Sequence, residues 1–596
     1  MKKPKTKILI VIFALILAFS LTALCACGES LGIGGANGAD GSTANTGGGT
    51  TGSVTVSVGS SMFTDADKSP SYDESTAVSI ALDGNTVTSD SASVSISGGK
   101  ATISQPGAYM VSGKGKNVTI IVDLPAESVE KVRLVFDGVN IVNDDFAAIY
   151  IKSADKTFVI LKGENSLSVT GDFAQIDENK ADGVIFAKDN VVIQGDGSLA
   201  VSGSKHGIVG KDDVKITGGK IDITAAAHGI EANDSVRVAT ANVTIRAGKD
   251  GVHVENLTDS TKGYFYMESG YLKIIAGYDG IDASGTVQVL GGTTDITTGD
   301  GSGKTLSSSD VSAKGLKATA DMLIADGEIT VNSADDSIHS NGTIAITGGT
   351  LNLFSGDDGV HADVSLVVSG GTITVAKSYE GLEARSIEIS GGKISVTASD
   401  DGINASGDDD SMPGGRPGQN GFNASSNCYI SISGGELYVN AGGDGVDSNG
   451  NVIVTGGTTI VEGPTSDGDG PLDYDGTATI GGGTFVAIGS RGMAMNFSSA
   501  SQGSVLLYVG TQSAGTTVSL SDLEGNTPFS MTATKSYASV LISMPDMVKG
   551  GKYTLKAGSF TQTVTLSSLV YGSSSQTGGG VPGGGVPGGN PGGRTR

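Results

Sequence analysis

The sequence has 596 residues, a formal charge of −25, 94 glycines, no tryptophan and only 5% aromatic residues. So acidic a chain argues against nucleic acid as a partner. Abundant Gly with Val, Ile, Thr and Ser favours many short strands and tight turns over helices, and a solenoid can use this length as one body.

Lys2 to Lys7 form a basic n-region and Ile8 to Leu24 an apolar run, the pattern of a signal segment, with a single transmembrane anchor as the alternative. The run closes on L-C-A-C-G, where Leu24, Ala26 and Cys27 stand as in a bacterial lipobox. This resembles lipoprotein signals. It predicts a signal peptide over 1–26, acylation of Cys27, and a lipid anchor holding the protein on the extracellular face of the bacterial cell membrane. Loss of Lys2, Lys3, Lys5 and Lys7 with a leader that has no acids takes the charge from −25 to −29. Cys25 leaves too, so Cys428 is the only other thiol and no intrachain disulfide can form.

Residues 27–53 are rich in Gly, Ala, Ser, Thr and Asn without hydrophobic periodicity, and read as a flexible tether. Residues 54–169 alternate apolar and polar positions, as in V-S-I-S-G-G-K-A-T-I-S, which predicts strands that cap the following segment or begin it.

From 170 to 490 two phrases recur. The first, D-G-[I/V]-x-A, occurs around Gly183, Gly207, Gly229, Gly251 and Gly280, and again at Gly445. The second, I-x-G-G-x-I-x-I, occurs from Gly218-Gly219 to Gly456-Gly457. Between Gly315 and Gly402 the turn residues Gly315, Ser337, Gly359, Gly381 and Gly402 are separated by 22, 22, 22 and 21. A β-rich repeat of about 22 residues predicts one rung of a parallel β-helix, with rungs stacked roughly 4.8 Å apart. Aliphatic residues and Ala of the first phrase then point inward, and glycine at the bends supplies positive φ.

That stacking makes Asp335, Asp336, Asp357, Asp358, Glu380, Asp400 and Asp401 a carboxylate ladder at one corner. Unit charges about 5 Å apart repel by roughly 1 kcal/mol even in water, so the ladder calls for compensation. A hard divalent cation with oxygen ligands, calcium before magnesium, is one answer. Turn capping by side-chain to backbone hydrogen bonds is the other. Lys317, His339, His361, Glu383 and Asn404, one position past the inward aliphatic, form an outward polar column beside the acids. They are candidates for ligand contact, or for a structural side-chain ladder.

The step from Gly402 to Gly445 is 43, so an insert at 406–427, carrying Asp408, Asp409 and Asp410, leaves the coil beside the ladder as a spacer or a calcium-ordered lid. Asp467, Asp469, Asp473 and Asp475 form a second acidic group, for a cation or for turns. Residues 491–571 read as a small β module covering the coil's end, and 572–596 as a Gly/Pro tail that cannot bury a core.

M-F-T-D near Met62, S-Y-D-E at Ser71, K-G-L-K-A at Lys314, A-D-D-S-I-H, G-D-D-G-V-H, Y-E-G-L-E-A, D-D-G-I-N-A, L-D-Y-D-G and R-G-M-A together resemble the bacterial carbohydrate-binding domain-containing lipoprotein family. The β-helix of that family is similar to that of polysaccharide lyases. The resemblance covers about residues 60 to 570. It implies an all-β, right-handed, calcium-containing parallel β-helix that binds plant cell-wall polysaccharide, acidic sugars included. It also places calcium ligands among the doubled acids. Pro471 departs from the family's N-G-A-L-D-Y.

Three functions follow as expectations. The first is a surface-tethered, calcium-dependent, non-catalytic binder of acidic polysaccharide such as polygalacturonate. The second is a polysaccharide lyase working by calcium-assisted β-elimination, with Lys317 as the base if burial lowers its pKa. The third is a structural adhesin. The lack of Trp argues against a flat platform for crystalline glucan, whereas Tyr278, Tyr379 and Tyr438 remain available to stack on sugar rings.

Overall fold

The computed structural model describes residues 62–306, 311–406 and 427–572. Cys27, the 27–53 tether, positions 407–426 of the insert and the tail from 573 lie outside the described residues. The chain divides into units Met1–Ser53 and Val54–Arg596, and the described residues all belong to the second.

Three short strands make one rung, for example Leu316–Ala318, Met322–Ile324 and Glu328–Ser333. The next rung repeats them as Ile338–Ser340, Thr343–Ile346 and Thr350–Ser355. Pairing is parallel and displaced by one period on all three sides, with Leu316 beside Ile338, Met322 beside Ile344 and Ile329 beside Leu351. The result is a parallel β-helix, in which three sheets enclose one aliphatic core.

Strand alternation decides what enters that core. Leu316, Ile338, Val360, Leu382, Ile403 and Val446 stack as one fully buried column. Ala318, Ala362, Ala384 and Ala405 form another, while the residue between each pair points away from the core, half-buried at Lys317 and His361 but buried at Glu383 and Asn404. Each buried aliphatic side chain contributes about 1.5–3 kcal/mol, so the repeat sums small terms along its length.

Glycine plays two different parts. In the G-G phrase the second residue adopts positive φ, as at Gly349, Gly371 and Gly392 (84°, 85° and 87°). The turn glycines of the acid phrase do not. A Cβ at Gly359 would lie 2.6 Å from the Gly381 carbonyl oxygen on the next rung and 2.6 Å from Val375 Cγ1. Close packing of rungs, rather than backbone conformation, therefore selects glycine there.

The parallel ladder reaches back to Val78–Gly84, which pairs with Tyr109–Gly115, and to Lys100–Ile103, which pairs with Thr119–Asp123. Ahead of it, residues 62–76 run as a strap across several rungs. Asp67, wholly buried, receives Lys156 Nζ at 2.7 Å and Lys215 Nζ at 3.4 Å. Arg237 donates to the Met62 carbonyl, and Lys68 pairs with Glu268 at 2.6 Å. At the other end Tyr537–Ser543 lies antiparallel between Thr484–Gly489 and Ser504–Gln512, covering the last third-sheet strand. An antiparallel sheet of Phe529–Thr532, Thr517–Ser521, Lys552–Ala557 and Phe560–Thr565 completes that module around its own core.

Candidate functional site

The acid phrases meet at the corner that leads into the first sheet. Residues directly before the turn residue form an inner column running through His206, His228, Asp250, Asp279, Lys314, Asp336, Asp358, Glu380, Asp401 and Asp444. Their carbonyls accept the amide of the turn residue one rung earlier, from Gly207 to His228 at 3.2 Å up to Gly402 to Asp444 at 2.9 Å. Two residues past each turn lies an outer column. There Asp282, Lys317, His339, His361, Glu383, Asn404 and Asp447 are register partners in succession. The five outward candidates Lys317, His339, His361, Glu383 and Asn404 are consecutive members of it.

Aspartate in the inner column bonds rung to rung. Oδ1 of Asp250, Asp279, Asp336, Asp358, Asp401 and Asp444 accepts the amide of the column residue above, at 2.5–3.2 Å. The second oxygen is left for a cation, and over the middle rungs the protein supplies one. Lys314 Nζ lies 2.5 Å from Asp336 Oδ2 and 2.9 Å from Asp335 Oδ1, and His339 Nδ1 is 2.9 Å from Asp336 Oδ2. Burial works against the charge of Asp336, but His339 and Lys314 hold its carboxyl below the usual range. His361 bridges Asp358 Oδ2 at 3.1 Å and Glu383 Oε2 at 2.7 Å. Asp357 stands at the exposed rim, where partial loss of solvent around its carboxyl and the nearby Asp336 and Asp335 push it up to about 6.

Above these rungs the described residues provide no such partner. Burial and the charges of Glu383 and Asp358 push Glu380 up to about 10, and its Oε2 accepts only from Asn404, at 2.9 Å. Burial and Asp400 push Asp401 to about 7, and burial with Asp447 and Asp401 pushes Asp444 to about 9. Asp447 stands well above the carboxylate range through burial and the charges of Asp401 and Asp473. Asp469 and Asp473 are raised as well, chiefly by burial. The C-terminal end of the ladder is thus an oxygen-only set of carboxylates that destabilise one another, the donor chemistry a hard divalent cation takes.

Asp444 and Asp447 were absent from the expected ligands. The sequence does carry their signal in A-G-G-D-G-V-D, but the 43-residue step conceals that Asp444 lies one rung above Asp401. Gly470 takes the next inner position, which joins the second acidic group, Asp469 and Asp473, to the same ladder.

Lys317 does not approach Asp336. Its Nζ lies 3.1 Å from Asp279 Oδ2 and 3.2 Å from Asp282 Oδ1. Burial opposes its charge, but the two carboxylates outweigh burial and raise its pKa, which makes it a poor base. Tyr278 and Tyr379 stand exposed beside the inner column, at 39% and 40%. Tyr438 is elsewhere, half-buried on the third sheet with its hydroxyl donating to Glu462.

The carbohydrate-binding domain-containing protein family matches this chain over residues 97–359 and 357–561. A carbohydrate-binding domain-containing protein of Acetivibrio thermocellus is 43% identical over 216 residues, which is 35% of this chain and 75% of that protein. Among solved structures, the polysaccharide lyase-like protein from C. thermocellum, as a gadolinium derivative, is 35% identical. It covers 37% of this chain and 91% of its own, with a TM-score of 0.36.

Proposed function

The chain belongs to the carbohydrate-binding domain-containing protein family, and from that premise we propose that it captures acidic polysaccharide through calcium, without cleaving it. The observation that carries this reading is the uncompensated acid cluster of Asp401, Asp444, Asp447 and Asp473. These residues would hold calcium, whose remaining coordination positions can take the carboxylate of a uronate. Tyr379, two residues ahead of the Gly381 turn on the neighbouring rung, offers a ring face to the sugar. Binding needs nothing more.

Elimination would need an unprotonated base aimed at the substrate, and the ion-paired Lys317 is not one. Acylation of Cys27 would hold the coil at the extracellular face of the membrane, where polysaccharide is met.

The experiment incubates purified protein with polygalacturonate in calcium or in chelator, following a pull-down and the ultraviolet absorbance of unsaturated uronate. Retention in calcium alone, with flat absorbance, is the expected outcome. Rising absorbance abolished by Lys317→Ala would establish a lyase, and neither signal would leave a structural adhesin.

A further inference from the structure

The N-terminal half of the two columns holds a cluster whose chemistry differs from the acid end. His206, His228 and His253 stack on one another, with ring centroids 5.2 and 4.7 Å apart. We propose that His228, Asp250, His253 and Asp282 form a site for a divalent transition-metal ion of the zinc class.

His228 Nδ1 lies 3.0 Å and His253 Nδ1 3.2 Å from the same oxygen, Asp250 Oδ2. His253 Nδ1 is also 3.3 Å from Asp282 Oδ2. Four donors around an ion at 2.0–2.1 Å stand about 3.3 Å apart, the edge of a tetrahedron. Both imidazole nitrogens are shut off from solvent, and neither is aligned for a hydrogen bond despite these short distances. Donors that share an ion point at a common centre and not at each other.

The second interactions are those a metal site requires. Asp250 Oδ1 is held by the Asp279 amide at 3.0 Å, and Asp282 Oδ1 by Lys317 at 3.2 Å, so one oxygen of each carboxylate stays turned toward the histidines. Once the ion displaces the proton that Asp250 and Asp282 favour on His253, two imidazoles and two carboxylates balance its double charge. An open cleft of about 540 Å³, lined by His253, Asp282 and Lys317, gives an entry path. The pair His339 and His361 differs, because each Nδ1 there completes a hydrogen bond and Lys314 Nζ already pairs with the Asp336 oxygen that His339 faces. Imidazole nitrogen selects zinc over calcium, so this site does not depend on the calcium reading.

The test titrates untagged full-length chain, freed of metal and kept in excess calcium, with zinc. Binding is read by calorimetry, and position by anomalous scattering at the zinc edge. One zinc per chain is expected between these four side chains, with His253→Ala weakening it about tenfold or more. Asp282→Asn, which touches the fold through Lys317 and His253, gives the same loss if the first variant melts abnormally. Zinc held equally by parent and both variants, an anomalous peak elsewhere, or no binding would each overturn the assignment.

Discussion

The amide of Asp358 donates to Oδ1 of Asp336, the equivalent residue one rung below, at 3.0 Å. A carboxylate so used fixes the spacing of two rungs with one oxygen and presents the other to a cation. Turn capping and cation binding, which look like rival explanations for an acidic ladder, are here two halves of the same side chain. Glutamate departs from the pattern: Glu380 does not cap Asp401 but reaches Asn404 instead.

Two substitutions of the same type in this ladder should have opposite signs. Asp336→Asn strips the counter-charge from Lys314 and the carboxylate partner from His339 and should lower stability by about 1–3 kcal/mol, with or without calcium. Asp447→Asn removes a carboxyl that burial and its acidic neighbours force the fold to keep protonated, so in chelator it should raise the melting temperature while shrinking the rise that calcium produces. Melts of both variants in the two buffers check this, and a shared sign in chelator would contradict it.

Stability in chelator should fall as pH rises from about 4 to about 10. Asp401, Asp444 and Glu380 titrate near 7, 9 and 10 when folded and near 4 when unfolded. The folded state therefore keeps protons that the unfolded state has lost, and stability declines through that window. His253 and His361, raised to about 10 and 11 because Asp250 with Asp282, and Asp358 with Glu383, outweigh burial, act in the same direction. Between about pH 4 and 6.5 His206, lowered to about 4 by burial, acts the other way and offsets part of the decline. Calcium that binds only the folded chain should add about 2.7 kcal/mol at a hundredfold excess over Kd and flatten the alkaline decline. Thermal melts across pH with and without calcium measure both effects.

Cys27→Ser should release the protein from the membrane fraction or block leader processing. Fractionation and the mass of the mature chain report on each, and unchanged attachment and processing would refute lipidation.

Asp67→Ala should be among the most damaging single changes outside the aliphatic core, at about 3–5 kcal/mol, because Lys156 would stay buried without its carboxylate and Lys215 would keep only Asp213. Denaturant unfolding measures the loss, and an Asp67→Ala, Lys215→Met double variant should recover part of it.

The period, the parallel stacking and the inward Ile, Val and Ala columns were legible because alternation and a fixed step repeat their signal many times. Single substitutions within the repeat were harder to weigh. Lys314 stands where the phrase elsewhere has an acid, so the ladder's built-in cation reads from the sequence as a mere departure from pattern. Asp444 and Asp447 were hidden by the length of chain between rungs. The strap left no periodic trace, since it is held by isolated contacts such as Asp67 with Lys156 and Lys215, 89 and 148 residues distant.

That strap also decides how the coil meets mechanical load. Tension arriving at Met62 passes first into Arg237, then Lys68 with Glu268 and Asp67 with Lys156 and Lys215. These contacts belong to different rungs, so several must give way before a pull on Met62 reaches the terminal rung at Val78.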